Sequence, residues 1–262
     1  MLTLAQIEQQ YPGSLRTFKR GVLREYLQYK ILEIIFTCAY AAKLSFLGGT
    51  ALRIVYGNTR FSEDLDFDNF GLTDGEFEGL AQKVRAGLQA EGLKVEIDTV
   101  AKGAYRCRMR LPDILFINEL SPHQEEKILI QIDSVAHGFT YQPDKKILNK
   151  FDVFSEIFVT PLDILLSQKI YAALNRRRAM GRDFFDIVYL SGMTAPNYPY
   201  LIAKTGIKDA RQLKARLLER CKDLDFKQLA LDAEPFLFVP GDTKKVVLFR
   251  EFLEGSLLAA DS

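Results

Sequence analysis

The chain has 262 residues, 48% hydrophobic and 26% charged, enough to bury one large core or two modest ones and too apolar for intrinsic disorder. Its 35 basic and 34 acidic side chains give a formal net charge of +1, which excludes a global basic bias, so a nucleic-acid partner would have to be held by a local patch. Three cysteines without CxxC spacing and only two histidines point to buried free thiols rather than a zinc site or a disulfide framework.

The opening MLTLAQIEQQYPG lacks the basic-then-apolar pattern of a signal peptide. The most apolar run, Ile31–Ala42, carries Glu33 and falls short of the ~20 residues that cross a bilayer. The expectation is a cytoplasmic protein. Apolar residues from Leu23 to Cys38 recur at helical spacing and predict a long amphipathic helix from about Leu15 to Ala42. Ser45–Leu47 reads as a short buried strand stopped by Gly48-Gly49. Thr50–Tyr56 reads as a short helix ended by Gly57-Asn58, and Asp64–Asp68 as a second strand.

Thr73 and Glu76 form a capping-box pattern at the start of a helix that runs to about Ala90. Alternation over Lys94–Val100 and Tyr105–Leu111 predicts a hairpin around Lys102-Gly103, Lys127–Val135 a further strand, and Phe154–Val159 an edge strand. From Pro161 on the pattern is helical: to about Arg177, then Arg182–Leu190, Tyr200–Lys204, Asp209–Lys222, Phe226–Ala233 and Lys244–Leu258. The expected class is α+β, with a first domain over residues 1–159 and an all-helical second domain over 160–262.

Chemistry concentrates in three places. In Phe46–Phe70 the Gly48-Gly49 turn lets the backbone approach a ligand, and the helix after it offers free N–H groups to an anion. Asp64 and Asp66 then share one face of a strand whose Leu65 and Phe67 face the core. A phosphate cradle shortly before paired carboxylates suits nucleotidyl transfer, and a solvated strand edge is the alternative for the acids. Asp133, on the strand Ile128–Val135, is either a third carboxylate ligand or a surface residue. In KIYAALNRRRAMGRDFFD, Lys169 and Arg176 share a helix face, and Asp183 lies in the first turn of the next helix, four-apart Arg182 and Asp186 following the same face. An ordinary helical hairpin with a solvated tip is the alternative there.

Together, GGTALR, RFSEDLDF and K-x6-R with RDFFD resemble the AbiEii/AbiGii toxin family over roughly Phe46–Leu190. These are nucleotidyltransferases with a DNA polymerase β-like core, from bacterial type IV toxin–antitoxin and abortive-infection systems. The resemblance implies a polymerase β-like core with a mixed sheet flanked by helices. It implies Gly48, Gly49 and Thr50 as the nucleotide-binding turn, Asp64 and Asp66 as metal ligands, and Ser62 beside the phosphates. It implies Lys169 as the essential lysine and Asp186 (or Asp183) as the final acidic motif, with Asp133 where many members carry an acid, often Glu. Thr50 stands where Ser is frequent, a change that keeps the hydroxyl.

The reading that follows is a nucleotidyltransferase using Mg²⁺ in a two-metal site, Mn²⁺ being an alternative. Asp64, Asp66 and Asp133 would serve metal and acceptor, while Lys169, Arg60 and Arg176 would neutralise the triphosphate, with Arg182 and Asp183 also near the nucleotide. The resemblance makes the 3′ end of tRNA the leading acceptor and a separately encoded, DNA-binding antitoxin the expected partner. Lys204, Lys208, Arg211, Lys214 and Arg216 offer weak support as a backbone-contacting patch. Transfer to a protein or a small molecule, or a non-catalytic binding module, remain alternatives.

Overall fold

Alternating apolar residues build a mixed seven-stranded sheet in the order β3-β4-β5-β2-β1-β7-β6. The strands are β1 (Leu44–Leu47), β2 (Leu65–Asn69), β3 (Glu96–Lys102), β4 (Ala104–Leu111), β5 (Ile128–Val135), β6 (Asp144–Lys150) and β7 (Val153–Val159). In this computed structural model, which describes residues 1–102 and 104–255, the chain divides into two compact units. The first takes Met1–Gly57, Phe61–Gly138 and Gln142–Thr160 and contains the whole sheet. The second takes Asn58–Arg60, Phe139–Tyr141 and the chain from Pro161 onward.

In the first unit β2 runs antiparallel to β1 and parallel to β5, β1 is parallel to β7, and the β3-β4-β5 and β6-β7 pairings are antiparallel. One sheet face is apolar: Leu65, Phe67, Cys107, Met109, Ile130 and Ile132 are all buried. Two helices cover it, α2 (Lys19–Phe36) and α4 (Asp74–Ala90), through contacts such as Phe36 with Phe67 and Phe77 stacked on Tyr105. Each such buried side chain contributes roughly 1.5–3 kcal/mol relative to exposure. Thr73 and Glu76 close the expected capping box on α4. The opposite face leaves Val100, Leu129 and Val135 exposed and carries the acids. Shorter helices complete the unit: α1 (Leu4–Gln9), α3 (Gly48–Ile54) and α5 (Ile114–Ile117).

The second unit is helical: α6 (Leu162–Asn175), α7 (Gly181–Ser191), α8 (Tyr198–Thr205), α9 (Ala210–Cys221), α10 (Phe226–Ala233), α11 (Lys244–Val247) and α12 (Phe249–Gly255). Asn197, Asp209 and Asp225 cap α8, α9 and α10 by accepting backbone N–H groups. Phe184, Phe226 and Phe249 meet at centroid distances of 4.9–5.9 Å and tie α7, α10 and α12 together.

Several expectations shift. The long N-terminal helix begins at Lys19 and ends at Phe36, with short 3₁₀ turns at Gly13–Leu15 and Ala41–Lys43. The Phe154–Val159 segment is not an edge: β7 lies between β1 and β6. The true edge, β6, has the sequence DKKILNK, in which Leu148 alone is buried, so it carries almost no alternation to detect. The helix expected from Tyr200 begins at Tyr198, with Pro199 inside its first turn. The last predicted helix is interrupted at Leu248, and its residues 256–258, like the hairpin's Gly103, lie outside the described residues. All three cysteines are free and buried.

Candidate active site

In the first unit the site begins at the β1–α3 turn. The helix opens at Gly48, two residues earlier than the sequence suggests. Gly48 has φ +78°, in the left-handed region, and a Cβ there would collide with the Asp66 carboxylate. Glycine is therefore required twice over. The Thr50 side chain is buried and its hydroxyl donates a hydrogen bond to the Asp64 carbonyl. Thr50 thus pins the backbone of Asp64. The segment before it is held as well, because Gln28 of α2 donates to the carbonyls of Ser62 and Glu63 at 3.0 and 2.9 Å.

Asp64 precedes β2 and Asp66 lies within it, on the face opposite Leu65 and Phe67. Asp133 on β5 is the register partner of Asp66, so the two project to the same side. Asp133 is in turn the register partner of Arg106 on β4, whose guanidinium grips it through Nε–Oδ1 at 2.9 Å and Nη2–Oδ2 at 3.1 Å. Gln131 Nε2 donates to the same carboxylate at 2.9 Å. The hydrogen bonds to Asp133 and then its charge, with smaller contributions from the charges of Asp64 and Asp66, push the Arg106 pKa up. Three carboxylates therefore lie within electrostatic reach of one guanidinium. Sequence reasoning missed Arg106, although the alternation Arg106-Cys107-Arg108-Met109-Arg110 places it on the polar face.

In the second unit the centre is Asp186 of α7, with no exposed surface. Arg60 reaches it through Nε–Oδ1 at 2.7 Å and Nη2–Oδ2 at 2.6 Å, Asn58 Nδ2 donates at 2.8 Å, and Lys169 Nζ of α6 lies 2.9 Å from Oδ2. Lys169 also bonds Asp183 Oδ1 at 3.0 Å, and Arg176 approaches Asp183 Oδ2 at 3.0 Å. Burial opposes the Asp186 charge, but Arg60 and then Lys169 outweigh it and hold the carboxyl at about 2. By the same pairing, against burial, Lys169 and Arg60 are held above their ordinary values.

This arrangement revises two roles. Arg60, expected on the triphosphate, is 2% exposed and held bidentately by Asp186 through the edge formed by its Nε and Nη2. Asp186, expected to be catalytic, likewise has no exposed surface and faces Arg60, Asn58 and Lys169. Lys169 keeps a 14% exposed side chain and has three N–H donors, two of them directed at the aspartates. Arg176 is half-exposed and paired only along one edge of Asp183. Arg182 packs its guanidinium 4.2 Å from the centre of the Phe236 ring. Asn58, read from sequence as a cap, was missed as a ligand of Asp186. Of the basic patch further on, Lys214 donates to the Glu254 carbonyl while Arg211 and Arg216 are exposed on α9.

A Gly-Gly turn packed on a strand aspartate in the first unit and, within the second, a lysine held by two aspartates are the parts a nucleotidyltransferase needs. Solved structures agree on the fold. JHP933 of Helicobacter pylori superposes with TM-score 0.55 at 15% identity, covering 89% of this chain and 91% of that one. The MenT4 nucleotidyltransferase toxin of Mycobacterium tuberculosis superposes with TM-score 0.59 at 15% identity, covering 98% and 91%. The chain belongs to the AbiEii nucleotidyltransferase toxin family of type IV toxin–antitoxin systems, whose model matches residues 30–251. No curated protein sequence matches it. Among the described residues no helix is long and apolar enough to cross a membrane.

Proposed function

We propose that this enzyme transfers a nucleoside monophosphate from an NTP to a hydroxyl, and that the acceptor is the 3′ end of tRNA, so that transfer blocks translation and growth. The acceptor oxygen attacks the α-phosphorus, its proton is lost to a base, and pyrophosphate leaves. The observation that carries the reading is the Gly48 backbone lying against Asp66, with Asp133 in register beside it.

Metal binding is consistent with these donors. Carboxylate oxygens are hard ligands, and Arg106 marks the spot as one that needs positive charge. Among the described residues no three acidic, His or Cys side chains are gathered closely enough to hold an ion by themselves. Mg²⁺ is commonly held by one or two carboxylates completed by substrate phosphates, and Asp64 with Asp66 would supply them. Bound there, the cation would neutralise the triphosphate and make the acceptor hydroxyl more acidic. Asp133, held by Arg106 and Gln131, would orient the acceptor, while Thr50 and Gln28 keep the Asp64 segment in place. Lys169 and Arg176 would neutralise the leaving pyrophosphate, with Gly48, Gly49 and Ser62 close to the phosphates. A separately encoded antitoxin, of the DNA-binding kind, would restrain the enzyme.

The test is incubation of purified protein with Mg²⁺, each of four α-labelled NTPs and total tRNA, beside an Asp64→Ala/Asp66→Ala variant. Label in tRNA that the variant abolishes is expected. Label in a protein band or a small molecule instead would replace the acceptor, and NTP binding without transfer to anything would reduce the chain to a binding module.

A further inference from the structure

The exposed face of β4 carries Arg106, Arg108 and Arg110 at every second position, flanking the buried Cys107 and Met109. Side chains two apart on a strand stand about 6.8 Å apart, comparable to the step between successive phosphates of a nucleic-acid strand. Arg106 and Arg108 side chains are 46% and 42% exposed, so their N–H donors reach solvent. Arg110 has no acidic partner among the described residues. The row is also directional. One end, Arg106, is in register with Asp133, which is in register with Asp66, while Arg108 lies opposite Gln131 and Arg110, at the other end, opposite Leu129.

We propose that this arginine row binds the phosphodiester backbone of the RNA acceptor and delivers the end of that strand to the carboxylates. The inference rests on the nucleotidyl-transfer reading with an RNA acceptor. Guanidinium groups suit the task because their forked donors match phosphate oxygens two at a time. The acids beside the row do not block it. Glu96 is held by Lys127 at 2.8–2.9 Å, and Asp98 meets Arg108 only at 3.6 Å with both side chains half in water. Exposed pairs of that kind are weak and yield to a phosphate. A backbone laid along the row from Arg110 to Arg106 arrives at the register position of Asp133 and Asp66.

The test is fluorescence anisotropy of end-labelled tRNA against the full chain across a salt series, for the wild type, Arg108→Gln/Arg110→Gln and Arg108→Lys/Arg110→Lys. The Gln variant should bind on the order of tenfold more weakly. Its slope of log K against log salt should fall by about 1.4, the share of two single-strand phosphates. Mg²⁺–NTP binding should be unchanged, and the Lys variant should keep the salt slope. RNA labelling with an unaltered RNA KM and slope in the Gln variant overturns the row and leaves the RNA reading standing. Label that goes to protein, with no tRNA bound by the wild type, overturns both.

Discussion

At the scale of single residues, the most demanding position is Gly48. Its left-handed backbone and its closeness to the Asp66 carboxylate mean that even a methyl group must displace a metal-ligand candidate. Gly48→Ala is expected to lower transfer by roughly 100-fold, the cost of displacing a reacting group by about an ångström, with the fold retained. Steady-state transfer assays with a parallel circular-dichroism melt would check it; full activity would show that the turn has slack. The motif GGTALR advertised this glycine, but not the reason for its rigidity, which depends on a side chain 18 positions later. Arg60 shows the opposite case. From sequence it was a cation near a nucleotide motif; only three-dimensional packing shows it buried against Asp186.

At the scale of elements, the long periodic helices and the strands with an apolar run were legible: α4, α6, α7, β2 and β5 lie where periodicity places them within a few residues, and α2 lies inside its longer expected span. The edge strand β6 was not, because an edge strand with lysines at three of its seven positions looks like a loop. Helix contacts were equally invisible. Gly181 at the start of α7 faces the Leu229 carbonyl of α10, with no room for a Cβ. Gly181→Ala should therefore cost about 1–3 kcal/mol through a forced shift of α10, seen as a lower urea midpoint. An unchanged midpoint would mean that α10 moves freely, contrary to the packing of Phe184 on Phe226.

At the scale of the whole molecule, the buried charge centre makes stability depend on pH in a defined way. The Asp186 carboxyl is ordinarily near 3.8 and is held at about 2 in the fold. A depressed acid contributes stability that is complete above its unfolded value and vanishes as pH falls through its folded one, here from about pH 4 down to about pH 2. Lys169, held above its ordinary 10.5, acts in the other direction: its share is present below that value and is lost as pH rises through the folded one. Asp186→Asn should cost roughly 3–5 kcal/mol at pH 7, since it removes the carboxylate that Arg60 grips and one of the two that Lys169 holds. It should also flatten the acid limb of a urea-midpoint titration. A variant with the wild-type acid limb would place the acid sensitivity elsewhere.

The helical unit borrows Asn58–Arg60 from a point in the chain about a hundred residues before its own first helix. Recombination between relatives at the apparent joint near residue 160 would therefore separate an acid from its base. A grafted C-terminal half brings its own Asp186 and Lys169, but must find a compatible arginine already waiting in the host's N-terminal half. The borrowed tripeptide makes the two halves heritable as a matched set, so that exchange of catalytic halves as independent cassettes should yield chimeras whose buried carboxylate lacks half its counter-charge.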